Sequence, residues 1–228
     1  MRYKTFFCSL KRERGISMKK ITSRVYLLEA TKGAYCYLVK IREKEMVLID
    51  TGLIFMRRAI LNELTEEKIP LEYIKHIVLT HGDIDHIGNL QFFQKLTGAT
   101  VWAGIEEIPY ILGQKERQGI KKYLSKLVSV KNIKEMKPLR DGNTVDGLEV
   151  VETPGHTEGH ICLIYDEVLF AGDLVEEKDG LCIPYPVKMN WDTAKLFKSI
   201  EKLNAYPFKW VCMAHGTPVM RDELFGDS

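Results

Sequence analysis

Three runs near the start of the chain, Val25 to Glu29, Ala34 to Ile41 and Glu45 to Ile49, are rich in β-branched and aromatic residues and predict consecutive strands. Asp50-Thr51-Gly52 then breaks the pattern. A helix is expected from about Ile54 to Lys68, where Ile60, Leu61 and Leu64 recur at helical spacing and Pro70 stops the run. Ile74 to Thr80 reads as a short buried strand ending at His81, Ile87 to Leu96 as a helix closed by Gly98, and Ala99 to Trp102 as another strand. Later strands are expected near Leu148 to Glu152, His160 to Tyr165 and Val168 to Phe170, then a helix over Thr193 to Leu203 and a last strand, Trp210 to Met213. Two runs of strands, each followed by helices, fit two sheets packed face to face with helices outside. The stretch from about Ile105 to Val130 mixes Pro109, Gly113, Gly119 and many lysines with scattered Tyr110, Ile111, Tyr123 and Leu124, and reads as one or two helices laid over the rest.

Length and composition narrow the class. With 228 residues, 45% of them apolar, the chain can bury one sizeable core, and a net charge of +2 argues for neither nucleic acid nor an acidic membrane as partner. Basic residues concentrate at the start, where Phe6-Phe7-Cys8 is too short for the apolar core of an export signal. Residues 1–18 therefore read as a flexible extension, and 19–228 as a single domain. No stretch approaches the length of a membrane span. The five cysteines are odd in number and form no CxxC pair, which fits reduced thiols and a cytoplasmic location.

The chemistry is concentrated in Thr80-His81-Gly82-Asp83-Ile84-Asp85-His86, where two histidines and two aspartates fall within six residues between an apolar strand and a helix. Imidazole and carboxylate are ligands for zinc, iron and manganese, and four in one turn would repel and desolvate one another without a cation. The competing reading is a polar turn in which Asp85 caps the next helix. The other histidines weigh against it. Gly155-His156, Gly159-His160 and Ala214-His215 stand at strand ends or in adjoining glycine-containing turns, and Gly172-Asp173 places a carboxylate at another strand end. Of the six histidines only His76 falls inside a strand pattern, as a structural residue.

Asp50-Thr51-Gly52, His81 through His86, Gly155-His156, Gly172-Asp173 and Ala214-His215 together resemble the five ordered motifs of the metallo-β-lactamase superfamily, over roughly residues 25 to 219. The resemblance implies an α/β fold, the four-layer αβ/βα sandwich, with two divalent metal ions at one edge between its halves. By position it implies His81 and His156 on the first ion, Asp85, His86 and His215 on the second, Asp173 bridging both, and Asp50 supporting them from behind. His160 matches a position expected to act from behind the ligands or on the substrate side. Asp83 departs from the pattern, which has histidine there. It can bind through oxygen, and an extra carboxylate shifts preference from zinc toward iron or manganese. Alternatively Asp83 points to solvent, or bonds the neighbouring backbone in an Asx turn.

The implied activity is hydrolysis of a small ester, lactone or thioester by a metal-bound hydroxide, with zinc the first choice of ion and Asp85 a proton carrier to the leaving group. An iron-dependent oxidoreductase and a non-catalytic metal-binding sensor are the alternatives, and the expected partner is a small-molecule substrate. The Ile105 to Val130 insertion is either a lid over the substrate or an ordinary surface helix pair. Ile183-Pro184-Tyr185-Pro186-Val187 is either a pocket wall or a rigid connection.

Overall fold

Alternation of side chains along the strands builds two sheets and three layers of apolar packing. The computed structural model describes residues 17–117, 121–124, 130, 133 and 135–221. The N-terminal extension expected over residues 1–18 thus lies, apart from Ser17 and Met18, outside the described residues.

The first sheet contains β1 (Lys19–Lys20), β2 (Val25–Leu27), β3 (Tyr37–Arg42), β4 (Glu45–Ile49), β5 (Ile74–Leu79), β6 (Thr100–Gly104) and β7 (Met136–Leu139), hydrogen-bonded in that order. Pairing is antiparallel from β1 to β4 and parallel from β4 to β7. The second contains β8 (Thr144–Val145), β9 (Leu148–Glu152), β10 (Ile161–Tyr165) and β11 (Val168–Gly172), then β14 (Trp210–Met213), parallel to β11, and β15 (Val219–Met220). Between β11 and β14 the chain makes a separate hairpin of β12 (Val175–Lys178) and β13 (Leu181–Pro184).

Period-two alternation sends neighbours on one strand to different layers. Val39, Val47 and Ile49 face the second sheet and pack with Leu148, Leu163 and Phe170. Leu38 and Leu48 face outward, against Ile60 and Leu64 of α1 (Arg57–Glu66). After α2 (Ile84–Ile87), α3 (Leu90–Thr97) covers the same face through Leu90 and Phe93. Small helices α4 (Ile108–Ile111) and α5 (Lys121–Leu124) follow, and α6 (Thr193–Leu203) covers the outer face of the second sheet through Leu196 and Leu203. The result is the four-layer αβ/βα sandwich. No described helix is long and apolar enough to cross a membrane.

Two expected helices are interrupted. The one beginning at Ile54 opens with a 3₁₀ turn over Ile54–Met56 before α1. The one expected from Ile87 starts earlier, as α2, and breaks at Gly88-Asn89 before α3. Close packing explains the break. A Cβ on Gly88 would meet the carbonyl oxygen of Gly52 at 2.5 Å, and the Asn89 side-chain amide donates to the carbonyls of Thr51 and Leu53. The strand expected over Val25 to Glu29 ends, as β2, at Leu27, where a 3₁₀ turn over Glu29–Thr31 follows, its start held by Glu63, whose carboxylate accepts the Glu29 and Ala30 N–H groups.

Phe170 lies between the sheets and is 1% exposed, edge-on to Tyr37 with ring centroids 5.4 Å apart. Phe170→Ala is expected to destabilise the fold by about 3–5 kcal/mol, the usual cost of deleting a buried ring. A chemical denaturation curve checks this, and a loss below about 1 kcal/mol would mean that the inter-sheet layer collapses around the gap.

Candidate metal centre

Strands β4, β5, β11 and β14 all deliver acidic or imidazole side chains just past their C-terminal ends: Asp50, His81, Asp173 and His215. The loop between β9 and β10 adds His156, and α2 carries Asp85 and His86. Two groups form around one shared carboxylate: Asp85, His86, Asp173 and His215, and His81, His156 and Asp173.

The spacings suit coordination. Asp173 Oδ1 lies 3.2 Å from His86 Nε2, and Asp173 Oδ2 lies 3.4 Å from His215, 3.5 Å from His156 and 3.8 Å from His81, each at Nε2. Ligand atoms about 2.0–2.1 Å from a tetrahedral ion lie roughly 3.3–3.4 Å from one another, so these gaps match the edges of two such shells. The fit is also chemical. Nε2 of His81, His86 and His215 and Oδ1 of Asp173 are buried without a hydrogen-bond partner among the described residues. Buried polar atoms left so are costly, and a cation shared between them removes the cost.

The opposite ring nitrogens explain why Nε2 points inward. Nδ1 of His86 bonds Asp50 Oδ2 at 2.9 Å, Nδ1 of His81 faces Thr80 Oγ1 at 3.1 Å, and Nδ1 of His156 faces Asn190 Oδ1 at 3.3 Å. Asp50 also accepts the N–H and hydroxyl of Thr80, at 2.9 and 2.7 Å, joining the ends of β4 and β5. This is the outer support that fixes a metal-binding ring. Gly155 lets the His156 loop run against α6, since a Cβ there would meet Leu196 backbone at 2.3 Å. The backbone N–H groups of Trp191 and Asp192 then hold the carbonyls of His156 and Gly155.

Charge is divided among these groups. Burial would raise Asp173, yet the imidazoles of His86, His215 and His156 hold its carboxyl well below the ordinary range. Burial works against a protonated His86, and the carboxylates of Asp173, Asp50 and Asp85 outweigh it and raise its pKa. His215 is pushed up to about 10, because the nearby carboxylates of Asp173 and Asp85 overcome burial. His81 is driven down by burial and by His86.

Asp83 is neither solvent-facing nor engaged in a cap. It stands at the N-terminus of α2 without a side-chain capping bond, and Oδ2 lies 3.2 Å from His156 Nε2 and 3.7 Å from His81 Nε2. Asp85 sits inside α2, not at its cap, with Oδ2 3.3 Å from His215 Nε2. Of the two roles expected for His160, the geometry favours support from behind. It is buried and pushed down to about 3 by burial and by His156, so the ring is neutral. Its Nδ1 pairs with Thr153 Oγ1 at 2.9 Å and its Nε2 accepts the Asp173 N–H at 3.3 Å. His76 is structural, accepting from the Trp102 indole and facing Asp146.

Three residues outside the expected ligand set line the centre or support it, two of them in segments read as a candidate pocket wall and a candidate lid. Tyr185 follows β13 and packs against the rings of His156 and His215, so the Pro-rich segment forms a wall. Lys121 of α5 places Nζ 2.6 Å from Asp83 Oδ2 and 2.9 Å from His156 Nε2, bringing the insertion onto the centre. Residues 118–120 and 125–129 of that insertion lie outside the described residues. Glu107, fully buried, accepts the N–H of Gly82 at 2.7 Å, the hydroxyl of Thr157 at 3.0 Å and the N–H of Gly159 at 3.2 Å, and pairs with Arg117. It ties the two loops that carry His81 and His156. Glu107, next to Glu106 and Ile108, belongs to no motif that could have shown this.

Comparison with known proteins agrees with this architecture. A family model for the metallo-beta-lactamase superfamily matches residues 31–215. The chain is 29% identical over 229 residues to the probable metallo-hydrolase YflN of Bacillus subtilis (strain 168), with 84% of this chain and 86% of that one covered. It is 29% identical over 150 residues to the hydroxyacylglutathione hydrolase GloC of Haemophilus influenzae, covering 61% of this chain and 66% of that one. Among solved structures, a metallo-beta-lactamase family protein of Thermus thermophilus gives a TM-score of 0.67 at 26% identity, covering 88% of this chain and 76% of that one.

Because Asp173 is the one side chain common to both groups, Asp173→Ala is expected to lower bound metal below that of the parent chain in elemental analysis. Two ions per chain in the variant would remove its bridging role. Glu107→Ala leaves the Arg117 guanidinium buried without its carboxylate, an expected cost of about 3–5 kcal/mol in denaturant unfolding. Unchanged stability would show that the two loops hold their positions without it.

Proposed function

The chain belongs to the metallo-beta-lactamase superfamily, and on that premise we propose that it hydrolyses a small ester, lactone or thioester with two divalent ions, zinc foremost. The observation that supports this reading best is the pair of ligand groups meeting at Asp173, with His81 and His156 on one side, Asp83 beside them, and Asp85, His86 and His215 on the other. When bound, the ions supply Lewis acidity and a nucleophilic water at neutral pH. In the net reaction, water adds its oxygen to the carbonyl carbon, the bond to the alcohol or thiol breaks, and one proton goes to the leaving group.

The chain's own residues orient that reaction. Asp173, Asp85, His215 and Tyr185 line one cavity of about 320 Å³. Asp85 is partly exposed there and is placed to carry the proton to the departing oxygen or sulfur. Burial and the carboxylates of Asp173 and Asp85 raise the Tyr185 phenol, so it stays protonated as a hydrogen-bond donor beside the ligands. His160 acts indirectly, holding the backbone of Asp173. The relative named for hydroxyacylglutathione hydrolysis favours a thioester among the three substrate types. The partner is a small molecule, since the ligand side chains lie inside a cleft and not on an open face.

Asp83 favours a second reading in one respect. An additional carboxylate beside His81 and His156 suits harder ions, and iron there would turn the centre toward oxidation–reduction. A centre that binds metal without turnover would be a sensor. Elemental analysis of untreated protein together with a thioester, lactone and ester panel separates the three. Hydrolysis is expected to fall at least about a hundredfold on chelation and to return with zinc or manganese. Iron as the bound ion, with no hydrolysis supported by zinc, would replace the proposal with the redox reading, and a loaded but inert protein would replace it with the sensor.

A further inference from the structure

Two cavities of different character meet at the ligand cluster. The one of about 320 Å³ has Leu53, Ile84 and Met189 among its walls, beside Asp85, Asp173 and His215. Its neighbour, of about 350 Å³, reaches His156 and carries four cations, Lys115, Arg117, Lys121 and Lys188, against two carboxylates, Glu116 and Glu158. Lys121 and Met189 line both, so the cavities adjoin beside Asp83 and His156.

The cations are not equally committed. Lys115 pairs with Glu158 at 2.7 Å, and Arg117 with the buried Glu107. Lys188 is exposed and makes no ion pair among the described residues. Lys121 is only 14% exposed and its partner is Asp83, at 2.6 Å. If Asp83 holds a divalent ion, less of its negative charge is left for the ammonium group. Metal binding there would leave the Lys121 charge only partly answered where the two cavities adjoin. A partly buried cation lining both cavities favours an anionic group on the ligand. Trp191, whose ring stacks under Lys195 at 4.3 Å, closes the same side and adds another positive neighbour.

We infer that the substrate is amphiphilic, with a carboxylate or phosphate on one side of its scissile bond held by Lys121 and Lys188, and an apolar group on the other side against Leu53, Ile84 and Met189. This rests on the hydrolytic reading above and narrows it to anionic acyl compounds. The scissile carbonyl then lies at the seam, next to the ligands. Hydrolysis of such an ester adds water across the acyl–oxygen bond and yields the carboxylate, the alcohol and one released proton.

Two matched pairs test it in the metal-loaded protein by pH-stat: monobutyl succinate against butyl butanoate, and 2-phosphoethyl hexanoate against 2-methoxyethyl hexanoate. They put the anion on the acyl side and on the alcohol side respectively. The charged member of at least one pair is expected to exceed its neutral counterpart in kcat/KM by about tenfold or more, with the preference shrinking as salt rises. Lys121→Met and Lys188→Ala, checked for metal content, should each reduce that preference about five- to tenfold. Neutral and charged esters cleaved alike, or a preference that survives both substitutions, would overturn the subsite and leave hydrolysis standing. If none of the four is cleaved, the hydrolytic reading is at fault, and calorimetry decides the subsite separately. Binding of monobutyl succinate or 2-phosphoethyl hexanoate that weakens in both lysine variants supports it, and no binding of either compound rejects it.

Discussion

A buried carboxylate surrounded by imidazoles is the constraint on which this fold turns. Asp173 is 2% exposed and has four histidine Nε2 atoms within 3.8 Å. Removing so many polar groups from water is unfavourable unless each finds a partner. The protein meets that demand in two layers. The outward-facing Nδ1 atoms of His86, His81 and His156 are met by Asp50, Thr80 and Asn190, which leaves the inward-facing Nε2 atoms for cations. Those same groups join β4 to β5 and the His156 loop to the start of α6, so the support of the ligands is also part of the tertiary framework.

The sandwich serves this cluster by bringing the ends of strands from both sheets to one edge. Parallel pairing of β4 with β5 and of β11 with β14 aligns Asp50, His81, Asp173 and His215. Apolar layers on both faces of each sheet make the strand ends rigid, and rigid strand ends hold ligands better than free loops do. Glu107 performs a related task without touching the cluster. Its carboxylate gathers donors from the two ligand loops, and Arg117 balances its charge. The insertion that supplies Arg117 also supplies Lys121, so loop support and the positive side of the cleft come from one stretch of chain.

Much of this was legible in the sequence because it depends on near neighbours. Alternating apolar residues specify which face of β3 or β4 is buried, and four candidate ligands fall within the six residues from His81 to His86. Histidines next to glycines at the ends of apolar runs mark ligand loops with no knowledge of what they meet. Helix breaks were less legible. Gly88-Asn89 interrupts a run with helical periodicity because the Gly52 to Ile54 loop passes too close for a side chain, a fact set by residues 36 positions away.

The sequence by itself therefore determined the layers, the ligand types and their order along the chain, since propensity, periodicity and motif spacing act over a few residues. Only the tertiary structure decided the direction of the Asp83 carboxylate, the positioning place of His160, the staple at Glu107 and the approach of Tyr185 and Lys121. Each of these rests on contacts between distant segments, as between Glu107 and Thr157, fifty positions apart. Such contacts leave no period and no motif, because a single polar residue meets its partner only after both sheets have closed on one another.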